Sequence, residues 1–209
     1  MTKMDTLKYI SERFHVSLNA PSPIDIPNKK REVLGVLFAE LDFRRGAEIG
    51  VSTGKFSKHL CRCNKRLNLL AIDAWTLYPG YDDNLGRKGR VTQEELDKHF
   101  EKAKERLARY KHCKIIRALS VDAAVVIPDK SLDFVYLDAN HEANAVMADI
   151  LAWTPKVRIG GIICGHDYTI KPHGYYGGAG VVEAVNAYTL AAKIYPWFVL
   201  DENFLWVRT

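Results

Sequence analysis

The chain has 209 residues, of which 47% are hydrophobic and 26% are charged, and its formal net charge is +5. This composition excludes a disordered or collagen-like chain and is typical of a single globular domain of ordinary size. No apolar run reaches the roughly 18 residues that a membrane span needs, and residues 1–10 are too polar for a signal peptide. We therefore expect a cytoplasmic protein that makes no contact with a membrane.

Much of the basic charge lies in residues 98–111, where lysines and arginines alternate with glutamates at helical spacing. Mixed charges in this pattern are typical of a solvated helix face, so nucleic-acid binding is disfavoured. The cysteines Cys61 and Cys63 lie close to His59, but no second paired cluster accompanies them, which disfavours a zinc site. We expect free thiols in a reducing compartment.

Hydrophobic spacing and turn residues predict helices and strands that alternate along most of the chain. Two N-terminal helices, 1–20 and 28–41, are joined by an extended connector with three prolines, 21–27. The strands predicted after them are 45–50, 67–73, 114–118, 132–138, 157–164, 198–201 and 204–208. The later helices are predicted at 54–63, 92–110, 121–127, 143–154 and 181–194. Thr92 and Glu95 are predicted to form a capping box at the start of the longest helix.

This alternation predicts an α/β fold, in which helices cover both faces of a parallel sheet. The short connection Glu202-Asn203 favours an antiparallel hairpin between the last two strands. We divide the chain into an N-terminal helical extension, residues 1–43, and one α/β domain, residues 44–209.

The most informative stretch is residues 46–54, where a short apolar strand ends in a glycine-bearing turn and a helix follows. A second apolar strand ends in Asp73, about twenty residues later. In an open α/β sheet, such glycines let the backbone approach an adenosine-type cofactor, and the acid binds the ribose hydroxyls. Glu48 lies inside the first strand, where a carboxylate is costly unless it faces the ligand or a backbone amide.

Two other cofactor classes fit this turn poorly. A phosphate-binding P-loop has four residues between its first glycine and its Gly-Lys pair, whereas three separate Gly50 from Gly54-Lys55. Phe56 also stands where a serine or threonine would hold magnesium. The nicotinamide fingerprint Gly-x-Gly-x-x-Gly is interrupted by Glu48 and Ser52.

The run from Glu48 to Gly54 resembles the first motif of class I S-adenosylmethionine-dependent methyltransferases, in an acid-x-Gly-x-x-x-Gly variant. Asp73 matches the acid that these enzymes place on the ribose, and Asp138 matches the motif at the end of the fourth strand. The resemblance covers about residues 44–208, which makes residues 44–209 a methyltransferase domain. It implies a Rossmann-like seven-stranded sheet of order 3-2-1-4-5-7-6, with the last strand antiparallel.

The resemblance also implies which residues bind S-adenosylmethionine. They are Glu48, Gly50, Ser52, Thr53, Gly54, Asp73, Ala74, Trp75, Ser120, Val121, Asp122 and Asp138. For Trp75, packing on the adenine or the substrate and packing in the core are equally good interpretations.

The fourth and fifth strands are predicted to be neighbours, and each is followed by a turn rich in ionisable side chains, 138–142 and 165–168. Asp138 and Asp167 suit a hard cation such as Mg²⁺, and a histidine admits Mn²⁺ or Zn²⁺. The pair of turns resembles the metal-dependent small-molecule O-methyltransferases of the catechol and antibiotic-sugar types. In those enzymes a fourth-strand Asp and an acid pair after the fifth strand bind the metal, which implies Asp138, His166 and Asp167 as ligands here.

Two residues depart from that pattern. His166 stands where the first member of the acid pair is often Asp, and Asn140 stands where the sugar enzymes have an Asp base. His141 matches a histidine of uncharacterised relatives that carry an Asp-Gly-x-His turn. We predict catalytic roles for His141, His166 and Asp167, in which one histidine accepts the proton of a substrate hydroxyl. The alternative is that both histidines only cap helices or line the pocket.

The segments 78–89 and 174–180 are rich in glycine and tyrosine and are expected to form a lid over a small-molecule acceptor. Tyr81, Tyr175 and Tyr176 are its candidate lining residues. The alternatives are a non-catalytic nucleotide-binding or interaction protein and a nucleic-acid or protein methyltransferase. The chain lacks the Asn/Asp-Pro-Pro-aromatic turn of base-amine enzymes. A homodimer through the N-terminal helices is a further hypothesis.

Overall fold

A computed structural model of the chain describes residues 5–78, 91–169 and 178–209. The strands in this part of the chain are β1 (Ile24–Asp25), β2 (Arg45–Ile49), β3 (Asn68–Asp73), β4 (Cys113–Arg117), β5 (Leu132–Leu137), β6 (Val157–Gly165), β7 (Trp197–Leu200) and β8 (Asn203–Val207). The α-helices are α1 (Thr6–Phe14), α2 (Glu32–Glu40), α3 (Lys55–Cys63), α4 (Gln93–Leu107), α5 (Ser120–Val125), α6 (Ala143–Trp153) and α7 (Gly178–Ala191). A short 3₁₀ helix, Thr154–Lys156, follows α6.

The strands form one sheet in the order β1-β7-β8-β6-β5-β2-β3-β4. β8 is antiparallel to both of its neighbours, and the other pairs are parallel. The order of β2 to β8 is the predicted one, so the Rossmann-like topology is confirmed. The structure adds β1, which pairs with β7 by placing Ile24 opposite Phe198. Its two residues lie among the prolines of the predicted connector and are too few to show a strand periodicity.

The N-terminal helices are shorter than the predicted 1–20 and 28–41. α1 ends where His15 adopts a left-handed conformation with φ 56°, and α2 begins only after Arg31. The predicted capping box of α4 is confirmed, since the Thr92 side chain accepts from the Glu95 backbone while the Glu95 side chain accepts from the Thr92 backbone. No helix in the described ranges is long and apolar enough to cross a membrane.

Helices cover both faces of the sheet. Successive side chains of β5 point to opposite faces, and both faces carry apolar side chains that the helices bury. Phe134 belongs to a core cluster that it shares with α1, α2 and α3, where its ring stacks on Phe38 with centroids 4.0 Å apart. Val135 belongs to the opposite cluster, which α6 and α7 complete. The N-terminal helices are therefore packed into the same core as the sheet, and the carboxyl ends of β2 to β6 meet at one edge.

Candidate functional site

A cavity of about 720 Å³ lies at the carboxyl ends of β2, β3, β4 and β5. Its size falls in the range of roughly 300–1,000 Å³ that small-molecule sites occupy. The cavity is lined by every predicted cofactor-binding residue except Gly54. Gly54 instead caps the start of α3 with a φ of 73°, and a Cβ atom there would lie 3.2 Å from the Leu107 side chain.

The turn after β2 depends on Gly50. Its φ is 88°, and a Cβ atom at this position would lie 1.9 Å from the carbonyl oxygen of Asp138. Only glycine allows the turns after β2 and β5 to approach this closely. The glycine predicted from the motif thus joins two strand ends and brings Asp138 to the cavity.

Asp73 anchors the centre of the cavity. Its Oδ2 accepts a 2.7 Å hydrogen bond from the Ser52 backbone, and its Oδ1 accepts a 2.8 Å bond from the Trp75 backbone. Burial raises the pKa of Asp73, although the backbone donors oppose this shift. A carboxylate has about four lone-pair positions, so both oxygens keep capacity for ribose hydroxyls. The geometry therefore fits the adenosine part of S-adenosylmethionine.

Trp75 is a core residue as well as a wall of the cavity. Its side chain is 1% exposed, and its Nε1 donates a 2.8 Å hydrogen bond to the Ser52 carbonyl. The indole also packs against Phe100, with ring centroids 4.9 Å apart. These contacts hold the turns after β2 and β3 together. They fit the interpretation of Trp75 as a core residue.

Glu48 is buried beneath the glycine turn. It is 1% exposed, and the Ser57 hydroxyl donates a short hydrogen bond to its carboxyl group. Burial raises the pKa of Glu48 well above its usual value, so the neutral acid is favoured. The residue thereby ties β2 to α3 directly below the cavity.

The turns after β5 and β6 bring the predicted catalytic residues together. His141 Nε2 lies 2.8 Å from Asp167 Oδ2 and 3.8 Å from Asp138 Oδ1. His166 Nδ1 lies 3.1 Å from Asp167 Oδ1 and 3.9 Å from Asp138 Oδ1. Asp167 itself has a φ of 57°, in the left-handed region that few residues other than glycine adopt.

One donor set differs from the predicted metal ligands. One ligand atom each from Asp138, His141 and Asp167 lie within 4.8 Å of one another, and a second such group joins His166 and Asp167 to Glu202. The first group joins His141 to the predicted ligands Asp138 and Asp167, and the predicted ligand His166 belongs to the second group. The segment after β5 brings His141 Nε2 to 2.8 Å from Asp167 Oδ2, a contact that strand order alone does not reveal.

Burial and neighbouring charges shift the pKa values of this cluster in opposite directions. Burial raises the pKa of Asp138, although His141 and His166 oppose the shift. Burial would also raise the pKa of Asp167, but hydrogen bonds from His141 and His166 outweigh it and hold that pKa well below its usual range. For His166, burial lowers the pKa, and its contacts with Asp167 and Asp138 outweigh this and raise it. Asp167 is therefore ionised beside a His166 that favours its protonated form.

Among the cavity residues that the motifs did not indicate are two basic side chains, Arg31 and His99. Arg31 precedes α2 and lies at the wall where β2 and β5 end. His99 of α4 lies with Nδ1 3.3 Å from the Ser52 hydroxyl. Both lie outside the strand-end turns, and a single basic residue in a polar stretch carries no signal of its own.

The predicted lid lies mostly outside the described residues, as do Tyr81, Tyr175 and Tyr176. Of its first segment, Tyr78 is described, and it lines the cavity. The Asn140 amide donates a 3.0 Å hydrogen bond to the Tyr78 hydroxyl. Asn140, which stands where the sugar enzymes have a base, is therefore engaged with the cavity wall.

A family model described as a methyltransferase domain matches residues 47–168, more than half of the chain. The chain therefore belongs to this methyltransferase family. The matched region contains the glycine turn, Asp73 and the turns after β5 and β6, so the family and the site agree. The chain therefore carries a methyltransferase domain of the S-adenosylmethionine-dependent type, as the sequence motifs predicted.

The chain is also similar to individual proteins. A candidate caffeoyl-CoA O-methyltransferase from Staphylococcus aureus aligns over 100% of this chain and 93% of its own, with 13% identity and a TM-score of 0.61. An O-methyltransferase from Bacillus cereus in complex with SAH aligns over 98% and 90%, with 17% identity and a TM-score of 0.55. The uncharacterized protein y4gI of Sinorhizobium fredii is 26% identical over 138 residues, which are 63% of this chain and 14% of that protein. At these identities the structural matches show the shared fold.

Proposed function

We propose that the protein transfers the methyl group of S-adenosylmethionine to a hydroxyl group of a small-molecule acceptor. The observation that carries this proposal is the 2.8 Å contact between His141 and Asp167 at the β5 end of the cavity. S-adenosylmethionine supplies an electrophilic methyl group on a sulfonium, so the protein has to position the acceptor and remove one proton. The resemblance to O-methyltransferases, by fold and by turn, supports a hydroxyl acceptor.

His141 is the base in this proposal. It lines the main cavity, whereas His166 lines only a small adjoining pocket. With Nε2 held by the Asp167 carboxylate, Nδ1 is the nitrogen that accepts the hydroxyl proton. Asp167 is a positioning residue, since it orients the imidazole and stabilises the imidazolium that forms.

The chemistry balances with these groups alone. The acceptor oxygen forms a bond to the methyl carbon while the carbon–sulfur bond breaks, and the bonding electrons return to sulfur as the neutral thioether. The hydroxyl proton passes to His141 and then to solvent. Because the acceptor meets the methyl group at the strand ends of β5 and β6, positioning supplies much of the rate enhancement.

A divalent cation is the second candidate element. The carboxylates of Asp138 and Asp167 and the imidazole of His141 are the donor types that Mg²⁺ or Mn²⁺ accepts, and their spacing within 4.8 Å fits one shared ion. A cation there would lower the pKa of the acceptor hydroxyl. His141 would then be a ligand rather than the base, so the two arrangements differ in their response to a chelator.

A panel of acceptors tests the proposal. The purified protein is incubated with S-adenosylmethionine and phenols, catechols, sugars and matched amines, and methylated products are identified by mass spectrometry. We expect methyl groups on oxygen. Products methylated only on the amines would contradict the hydroxyl assignment.

Variants at the two histidines test the assigned base. His141→Ala is expected to lower turnover by about 10²- to 10⁴-fold, the usual contribution of a general base. The exposed His112→Ala serves as the matched control and should keep full activity. Loss of activity in His166→Ala with activity retained in His141→Ala would transfer the role of base to His166.

A further inference from the structure

Arg31 is a cavity residue from outside the region that the family model matches. It directly precedes α2, within the N-terminal extension, and its side chain is 33% exposed. Its Nη1 lies 3.5 Å from Asp138 Oδ2, and its guanidinium carbon lies 5.3 Å from the centre of the Phe56 ring. These contacts with the turn after β5 and the first turn of α3 hold the guanidinium at the cavity wall.

The position of Arg31 along the strand ends is informative. The ribose acid Asp73 ends β3, and Ser120 and Asp122, which by the resemblance lie near the adenine, follow β4. β2 lies between β3 and β5 in the sheet. A cofactor that puts its nucleoside at β3 and β4 therefore extends its methionine part across β2 toward β5, where Asp138 and Arg31 lie.

The methionine part ends in an ammonium and a carboxylate, and a carboxylate is the group that a guanidinium binds best. Among the described residues, the Arg and Lys side chains that line the cavity are Arg31 and Lys55. Lys55 is exposed, whereas Arg31 is partly buried and braced on Phe56. Its five N–H donors exceed what Asp138 and the neighbouring Tyr136 hydroxyl engage.

We propose that Arg31 binds the carboxylate of the methionine part of S-adenosylmethionine, so that the N-terminal extension completes the cofactor site. Asp138, beside the guanidinium, then faces the ammonium of the same amino acid. The inference rests on the cofactor of the methyltransferase reaction and adds a contact from a segment that the family model does not include.

Two ligands that differ only in the amino-acid tail test the proposal. S-adenosylhomocysteine carries the tail, and methylthioadenosine has the same nucleoside thioether with a methyl group in its place. Their dissociation constants are measured by calorimetry for wild type, Arg31→Gln and Arg31→Lys. Lys30→Met, an exposed neighbour, is the matched control, and Lys55→Met tests the competing cation.

We expect Arg31→Gln to weaken the binding of S-adenosylhomocysteine about 10- to 100-fold, because a charge-assisted contact is lost. Methylthioadenosine should bind Arg31→Gln with the same affinity as it binds wild type. Arg31→Lys should recover part of the affinity for S-adenosylhomocysteine. Equal weakening of both ligands would mean that Arg31 only supports the turns, and would overturn the proposal. Loss of S-adenosylhomocysteine binding in Lys55→Met but not in Arg31→Gln would overturn it as well.

The experiment separates this proposal from the cofactor assignment. Wild-type protein that binds neither ligand would contradict S-adenosylmethionine as the cofactor. Wild-type protein that binds both ligands equally tightly would keep the nucleoside site and overturn the role of Arg31, because the tail then contributes nothing.

Discussion

His141 Nε2 and Asp167 Oδ2 lie 2.8 Å apart and link the turns that follow two neighbouring strands, β5 and β6. Each residue is partly buried, with 24% and 29% of its side chain exposed. His141 lines the cavity at the end opposite the nucleoside residues, and Asp167 lies behind it. In the proposed function, this pair acts on the acceptor, while the residues at the ends of β2, β3 and β4 hold the methyl donor.

Asp167→Asn should therefore damage turnover and spare cofactor binding. An amide holds the imidazole less well in the required tautomer, so we expect kcat to fall by about 10²- to 10⁴-fold. Asp167 does not line the main cavity, and the dissociation constant of S-adenosylhomocysteine should stay within about twofold. Steady-state kinetics and calorimetry measure the two quantities.

Asp201→Asn is the matched control for this variant. Asp201 also has a left-handed backbone, with a φ of 54°, and asparagine tolerates that conformation. It is exposed and lies in the turn between β7 and β8, outside the cavity lining. A similar loss of turnover in both variants would show that the effect is conformational rather than catalytic.

Removal of divalent cations distinguishes an enzyme in which His141 is the base from one in which a bound cation activates the acceptor. With His141 as the base, exhaustive dialysis against EDTA should leave the rate of methyl transfer unchanged. The rate is measured before dialysis, after dialysis and after addition of Mg²⁺ or Mn²⁺. A loss that either ion restores would replace the base arrangement with a cation held by Asp138, His141 and Asp167.

Gly50→Ala should disrupt both the turn and the cofactor site. A Cβ atom would lie 1.9 Å from the Asp138 carbonyl at a φ of 88°, so the turns after β2 and β5 must separate. We expect the free energy of unfolding to fall by about 3 kcal/mol or more and S-adenosylhomocysteine binding to be lost. Denaturant unfolding and calorimetry give the two values.

Gly160→Ala isolates the backbone part of that cost. Gly160 has a similar φ of 74°, but the nearest heavy atom to a Cβ there is 3.4 Å away. Gly160→Ala should lower the free energy of unfolding by only about 1–2 kcal/mol, the cost of a left-handed conformation. If both variants lost the same stability and both still bound ligand, the close approach at Gly50 would not be needed.

Asp149→Asn should stabilise the protein at neutral pH. Burial raises the pKa of Asp149 to about 6, with the Ser120 hydroxyl opposing the shift. In the unfolded chain this pKa is near 3.9. Between about pH 4 and pH 6 the folded state therefore binds the proton more tightly, so stability falls as the pH rises through this window.

The size of this effect follows from the shift of about two pKa units, which corresponds to about 3 kcal/mol. We expect Asp149→Asn to raise the free energy of unfolding by about 1–3 kcal/mol at pH 7.5 and by little at pH 4. Asp25→Asn, at an exposed site, is the control. A gain that does not change with pH would exclude the carboxylate charge as its cause.

Much of the fold could be predicted because its signals are local. Apolar periodicity indicated seven strands, the resemblance to class I methyltransferases implied their order, and the capping box at Thr92 placed the start of α4. The motif from Glu48 to Gly54, with Asp73 and Asp138, indicated the cofactor and its place at the strand ends. Each of these signals depends on residues within a few positions of one another, or on the topology that such units adopt.

Other features depend on contacts between distant segments, which periodicity does not encode. β1 exists because a two-residue stretch among prolines meets β7. Asp149 has the sequence of an ordinary helical acid, and it is buried because α6 packs against the sheet and α5. His141 lines the main cavity and His166 the small adjoining pocket because of how the turns after β5 and β6 face each other.

The amino-acid sequence by itself determined the class of fold, the methyl donor and the edge of the sheet where the cavity lies. The tertiary structure decided which side chains meet at that edge. Arg31 shows the reason: it is more than one hundred residues from Asp138 along the chain, and packing of α2 against the sheet leaves its guanidinium 3.5 Å from that carboxylate. Short-range patterns specify elements, whereas side-chain proximity results from the packing of those elements.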